Sequence, residues 1–84
     1  MKDLIDILKS GKLEANSKII WNRKSLSQRH LATINGDGTI TTADGKKHKS
    51  PSGAARHLNG DKPVDGWIVW KLESTGIPLA KLRD

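Results

Sequence analysis

The segment Ser50-Pro51-Ser52-Gly53-Ala54-Ala55-Arg56-His57-Leu58-Asn59-Gly60 constrains the fold more than any other part of the chain. Proline holds Ser50 in the extended region that an N-cap requires, and its own φ is pre-set for the first helical position. Gly60 suits the C-terminal cap, so a helix of about two turns is bounded on both sides by residue chemistry. Ala54, Ala55 and Leu58 form its inward stripe, while Arg56 and His57 lie off that stripe. A helix this short holds only against a partner surface, which the rest of the chain must supply.

The flanking segments read as that surface. Leu4, Ile5, Ile7 and Leu8 fall on one helical face opposite Asp3, Asp6 and Lys9, and Gly11 is placed to end the helix. Ile19, Ile20 and Trp21 favour a strand over residues 18–23, a basic polar loop follows over 22–29, and a second strand is expected over 30–34. Asn35-Gly36-Asp37-Gly38 then supplies a tight hairpin turn, with a return strand over 39–42 and a further turn at Ala43-Asp44-Gly45-Lys46. The most apolar run, Trp67-Ile68-Val69-Trp70-Lys71-Leu72, is predicted to be a central strand, and residues 77–83 a closing helical turn. The expected fold is therefore α+β: a small antiparallel sheet of about four strands with two short helices and a C-terminal helical turn. It forms a single domain over residues 1–84, with no repeat or linker dividing it.

Composition narrows the function. The chain has 84 residues, which leaves no room for a catalytic domain plus a second module. Fifteen Lys and Arg against nine Asp and Glu give a net charge of +6, which suits a polyanionic partner, nucleic acid before an anionic membrane. There is no Cys, so disulfides, thiolate zinc sites and thiol chemistry are excluded and a reducing cytoplasm is the expected compartment. Apolar runs are far too short to span a bilayer, and acids interrupt the opening Met1-Lys2-Asp3-Leu4-Ile5-Asp6, so neither a membrane span nor a secretory signal is expected. No helix pairs a basic face with a large apolar one, which disfavours a membrane-surface module.

Metalloprotease, Walker A, dinucleotide-binding and nucleophile-elbow motifs are absent from the sequence, and His30, His48 and His57 lack metal-ligand spacing. No catalytic residue, metal or cofactor is expected. Ser50 or Ser52 with His48 or His57 has the residue types of a nucleophile and base, but capping accounts for the serines without chemistry. Lys46, Lys47, His48 and Lys49 run straight into the helix that Ser50 opens. That run reads either as a solvated turn or as a phosphate site, in which free N–H groups and the helix dipole hold the anion and Gly53 leaves room for close approach. Lys18, Arg23, Lys24 and Arg29 form a second basic stretch, with no acid between residues 15 and 35.

Trp67 and Trp70, three apart on a strand, should point to opposite faces, one into the core and the other covering a helix or partly exposed for stacking. The lack of Phe and Tyr counts against single-strand platforms built on several aromatics and favours a duplex.

Gly38-Thr39-Ile40, Ser50-Pro51-Ser52-Gly53-Ala54-Ala55 and Asp65-Gly66-Trp67 with Trp70 together resemble the restriction enzyme and adenine methylase associated (RAMA) domain, whose pattern is S-P-S-x-A-A followed by N-G-W-x-x-W. The likeness covers almost the whole chain, from the opening helix to residues 76–83. It implies a small α+β module accompanying DNA methylases, nucleases and helicases in bacterial modification systems, regarded as DNA-binding and in some cases proposed to sense methylated adenine. Ser50, Ser52, Trp67 and Trp70 match the family's positions. Asp65 departs from the usual Asn, exchanging an amide that donates and accepts for a carboxylate that only accepts; it reads equally as a turn residue before Gly66.

The expected function is a non-enzymatic module binding double-stranded DNA, with N6-methyladenine sensing as its finer form. Its candidate site is Lys46, Lys47, His48, Lys49, Ser50, Ser52, Gly53, Arg56, Asp65 and Trp67. The alternative is a protein-interaction module that docks onto a separately encoded methylase or nuclease through an exposed Trp and the tail.

Overall fold

The computed structural model describes residues 3–83; Met1, Lys2 and Asp84, at the ends of the expected single domain, lie outside the described residues. The order along the chain is α1 (Leu4–Lys9), β1 (Lys18–Arg23), a 3-10 turn (Lys24–Leu26), β2 (Gln28–Ile34), β3 (Ile40–Thr42), β4 (Lys47–His48), α2 (Pro51–Leu58), α3 (Gly66–Val69), β5 (Lys71–Leu72) and a 3-10 turn (Leu79–Arg83). The strands form one antiparallel sheet in the order β4-β3-β2-β1-β5. This is the expected α+β architecture, with five strands where about four were predicted.

Local chemistry builds the meander. Asn35 N–H donates to Thr39 C=O and Gly38 N–H to Asn35 C=O, closing the β2–β3 turn. Gly38 sits at φ 87°, and a Cβ there would also come within 3.1 Å of Ile5, because α1 packs over this turn. Thr42 N–H donates to Lys46 C=O across the next turn. Strand pairing reaches further into the basic stretch than expected: Asn22 pairs with Arg29 and Arg23 with Gln28, so the loop of the β1–β2 hairpin shrinks to residues 24–27.

One face of the sheet is covered. Ile19 and Trp21 from β1, Ala32 and Ile34 from β2 and Ile40 from β3 are buried against Leu4 and Ile7 of α1, Ala54 and Ala55 of α2, and Trp67, Trp70 and Leu79. The inward stripe of α2 is as predicted, with Leu58 packed against its edge.

The predicted central strand over residues 67–72 is not one. Its first part is α3, and only Lys71 and Leu72 form a strand, at the sheet edge beside β1. The β-favouring side chains are overridden from both sides. The Asp65 carboxylate accepts from Trp67 N–H at 3.0 Å and starts a turn, and Trp70 N–H donates to Gly66 C=O. Three residues apart on a helical turn share a face, so Trp67 and Trp70 both point inward, 8% and 0% exposed, rather than to opposite faces.

Candidate nucleic-acid interface

The two motif blocks meet each other. Ser50 Oγ accepts from Gly53 N–H at 3.0 Å and caps α2, while Ser52 Oγ accepts from Gly66 N–H at 3.0 Å. Trp70 Nε1 donates to Pro51 C=O at 3.1 Å, and a Cβ on Gly66 would lie 2.1 Å from the Pro51 carbonyl. Serine, proline, glycine and tryptophan thus form one lock between α2 and α3.

This lock takes the groups that the sequence offered to a phosphate. Pro51 has no N–H, the Ser52 amide lies against Gly66, and the Gly53 and Ala54 N–H groups donate to the Ser50 hydroxyl and carbonyl. Gly53 does not open the approach either, since Ser50 Oγ lies 3.2 Å from where its Cβ would be. Neither Trp67 nor Trp70 offers an exposed stacking ring: Trp67 carries the Arg83 guanidinium 3.6 Å from its ring centroid, and Trp70 packs edge-on against Trp21. Asp65 is the cap of α3, the turn role foreseen for it.

The run from Lys46 to Lys49 is a strand and its flanks rather than a loop, so successive side chains alternate in direction. Lys47 points away from the helices and pairs with Asp37 at 3.3 Å. His48 points inward, where its ring lies 4.8 Å from that of His57. His57 Nε2 in turn meets Asp44 Oδ2 at 2.7 Å, and Asp44 accepts from the Thr42 hydroxyl. These partners set the titration of the cluster. The His57 and Thr42 hydrogen bonds hold the Asp44 carboxyl well below the usual carboxylate range, and bonds from Thr39 hold Asp37 down to about 2. Burial, and then the neighbouring His57, push His48 below the ordinary histidine value.

Lys46 and Lys49 are exposed at the two ends of β4. Lys49 borders a cleft of about 340 Å³ together with Asp3, Gly38, Thr39, Ser50 and Trp67. Arg56 belongs elsewhere: it lies toward the far end of α2, where its Nε donates to Asp61 C=O. The ten residues of the candidate site therefore fall into a structural lock, a strand end and a helix C-terminus, not one patch.

The uncovered face of the sheet was missed. Alternation from the buried Ile19 and Trp21 turns Lys18, Ile20 and Asn22 outward, and the strand register places Arg29, Leu31 and Thr33 beside them on β2, Thr41 on β3, Lys47 on β4 and Lys71 on β5. The Lys18 Nζ donates to Thr33 Oγ1 across this face at 2.9 Å. No strand contains an Asp or Glu, so the strands bring four cations to this face, and the carboxylate that meets one of them, Asp37 against Lys47, comes from the β2–β3 turn. The signal was present as the Lys18-x-x-x-Asn22 and Arg29-x-Leu31 alternation, but only the register joins it across strands.

Among the described residues no group of three His, Cys, Asp or Glu is placed to hold a metal, and no helix is long and apolar enough to cross a membrane. Ser50 and Ser52 accept from backbone N–H groups, and His57 pairs with Asp44. What the surface offers is a cationic sheet face with one exposed amide, Asn22, backed by the packed core. Comparison with curated proteins gives no match. The sequence pattern of one family does match, over residues 2–84, and with its serine, glycine and tryptophan positions joined in a single lock, the chain belongs to the RAMA family, Restriction Enzyme Adenine Methylase Associated.

Proposed function

We propose that this domain is a non-catalytic module that binds double-stranded DNA through the open face of its sheet, within a system of restriction and adenine methylation. The observation that carries this reading is the segregation of charge. All eight carboxylates of the described residues lie in helices, caps, turns and loops, whereas Lys18, Arg29, Lys47 and Lys71 stand on one face of four strands. Duplex DNA is a dense polyanion, and neutralising its phosphates releases counterions. Lys49, exposed just past β4, adds a cation at the cleft beside this sheet edge. The compartment this reading requires is the one that holds the DNA, the cytoplasm.

Fluorescence anisotropy with a labelled duplex, plain or carrying N6-methyladenine, tests it at 50 and 200 mM salt. Four phosphate contacts give a log–log salt slope of about −3.6 and a loss of about 10²-fold in affinity across that range. Lys18→Ala and Lys71→Ala should each flatten the slope by about 1. Methyl sensing is the finer part of the proposal, and one buried methyl group limits its preference to about fourfold. Absence of binding in 50 mM salt, or binding indifferent to salt, overturns the reading.

A second reading, docking onto a methylase or nuclease subunit, is favoured by Ile68, which is 59% exposed beside a hollow lined by Trp21, Asn22, Lys24, Val69 and Lys71. Replacing Lys46, Lys47 and Lys49 by Ala separates the two: it weakens DNA binding under the first reading and leaves subunit capture intact under the second.

A further inference from the structure

Beyond Ile20 the sheet narrows to two strands. β1 pairs with β5 only at Ile19 and Ile20, and β2 pairs with β3 only over residues 32–34. Residues 21–23 and 28–30 therefore pair with each other alone and project as a ribbon, with Ile20 and Leu31 at its base. Its inner face is held fast: Trp21 packs on Trp70, and the Arg23 guanidinium donates to Leu58 C=O at 3.3 Å and Asn59 Oδ1 at 2.9 Å. Its outer face is exposed and chemically ordered. Asn22 stands directly opposite Arg29, Ile20 stands opposite Leu31, and Leu31 is 41% exposed. Lys24 and Gln28 are exposed at the tip, and the chain has no carboxylate between Glu14 and Asp37.

Two strands about 5 Å apart, with side chains on one face, fit a major groove about 12 Å wide, and helices behind the ribbon do not obstruct a face-on approach. The residue types are those that read base edges. An Asn amide both donates to and accepts from adenine at N6 and N7, an Arg guanidinium donates twice to guanine at O6 and N7, and an aliphatic pair suits a methyl group in that groove. We infer that the ribbon is the sequence-reading element: it lies in the major groove with Asn22 and Arg29 on neighbouring base edges, Ile20 and Leu31 on a methyl group, and Lys18 and Lys24 on flanking phosphates. This rests on the DNA-binding reading and adds base recognition to it. Facing side chains on paired strands stand about 5 Å apart, so the two bases read by Asn22 and Arg29 lie within two steps of each other.

Selection from a pool of duplexes with a randomised core tests the inference. The unmodified chain should enrich a motif with an adenine and a guanine within two steps. The Asn22→Ala, Arg29→Ala double variant should bind the unselected pool about as weakly as Lys71→Ala, which likewise removes one cation of the face, yet bind the enriched duplex at least about tenfold more weakly still and enrich nothing itself. Lys71→Ala, on the neighbouring strand, should weaken binding to pool and motif alike. Both substituted side chains of the double variant are exposed, and circular dichroism checks that it folds. If that variant enriches the same motif, or the unmodified chain binds the pool without enriching any, the ribbon does not read bases while the DNA-binding reading stands. If the unmodified chain fails to bind the pool at low salt, both fall.

Discussion

A single added methyl group at residue 66 would lie 2.1 Å from the Pro51 carbonyl and 2.4 Å from the Ser52 nitrogen, both backbone atoms that cannot step aside. Gly66→Ala is therefore expected to destabilise the domain by about 3 kcal/mol or more, through overpacking alone. Ser52→Ala leaves the Gly66 N–H without its acceptor, at a cost of about 1–3 kcal/mol, whereas Ser50→Ala removes a helix cap worth about 1 kcal/mol. Urea denaturation of the three variants gives the order; a Gly66→Ala protein as stable as Ser50→Ala would contradict the lock. His30 makes a different case. Its Nε2 is buried without a hydrogen-bond partner while its ring lies 5.5 Å from that of Trp21. His30→Phe keeps the ring contact and removes the orphan, so a rise of about 1 kcal/mol in stability is expected in the same assay.

At the scale of elements, α3 shows where local chemistry is overruled. Asp65 caps it, and Asn caps as well as Asp, so Asp65→Asn should change the melting temperature little, while Asp65→Ala costs about 1 kcal/mol. Calorimetry that found the Asn variant as damaged as the Ala variant would show that the carboxylate's charge, not its hydrogen bond to Trp67, holds the turn. The cap of α2 was legible in advance because Ser50, Pro51 and Gly60 act on their own neighbours. The first β strand was legible for the same reason, from Ile19, Ile20 and Trp21. The run from Trp67 to Leu72 was misread because its composition favours a strand, and what bends it is the contact of Gly66 with Pro51, fifteen residues away. The candidate site fared less well than the fold. The amides near Ser50 looked available to an anion until Ser52 was seen to reach Gly66, and the cations of the open face gain a common direction only from strand register.

At the scale of the whole molecule, protons and stability are coupled in a defined direction. Burial, and then Arg23, lower the His30 value from the ordinary 6.5, and His48 is lowered as well, so near pH 6 the unfolded chain binds more protons than the folded one. Stability therefore rises with pH through this window and is lost as pH falls from 7 through 6.5 toward the lowered values. A second loss is expected below about pH 4, where Asp37 and Asp44, both depressed in the folded protein, must take up protons. Melting curves from pH 7.5 to 3 should show the two stages, and His30→Phe should reduce the first. A melting temperature that rises between pH 7 and 5 would contradict the assignment.

The bond between the helices also separates two kinds of inheritance. Whatever keeps Ser52, Pro51, Gly66 and Trp70 together answers only to the interior of the protein, and none of these residues stands on the outer face of the hairpin. If the ribbon reads bases as proposed, relatives sharing this quartet can exchange the side chains at positions 22 and 29 and so acquire new targets on an unchanged frame.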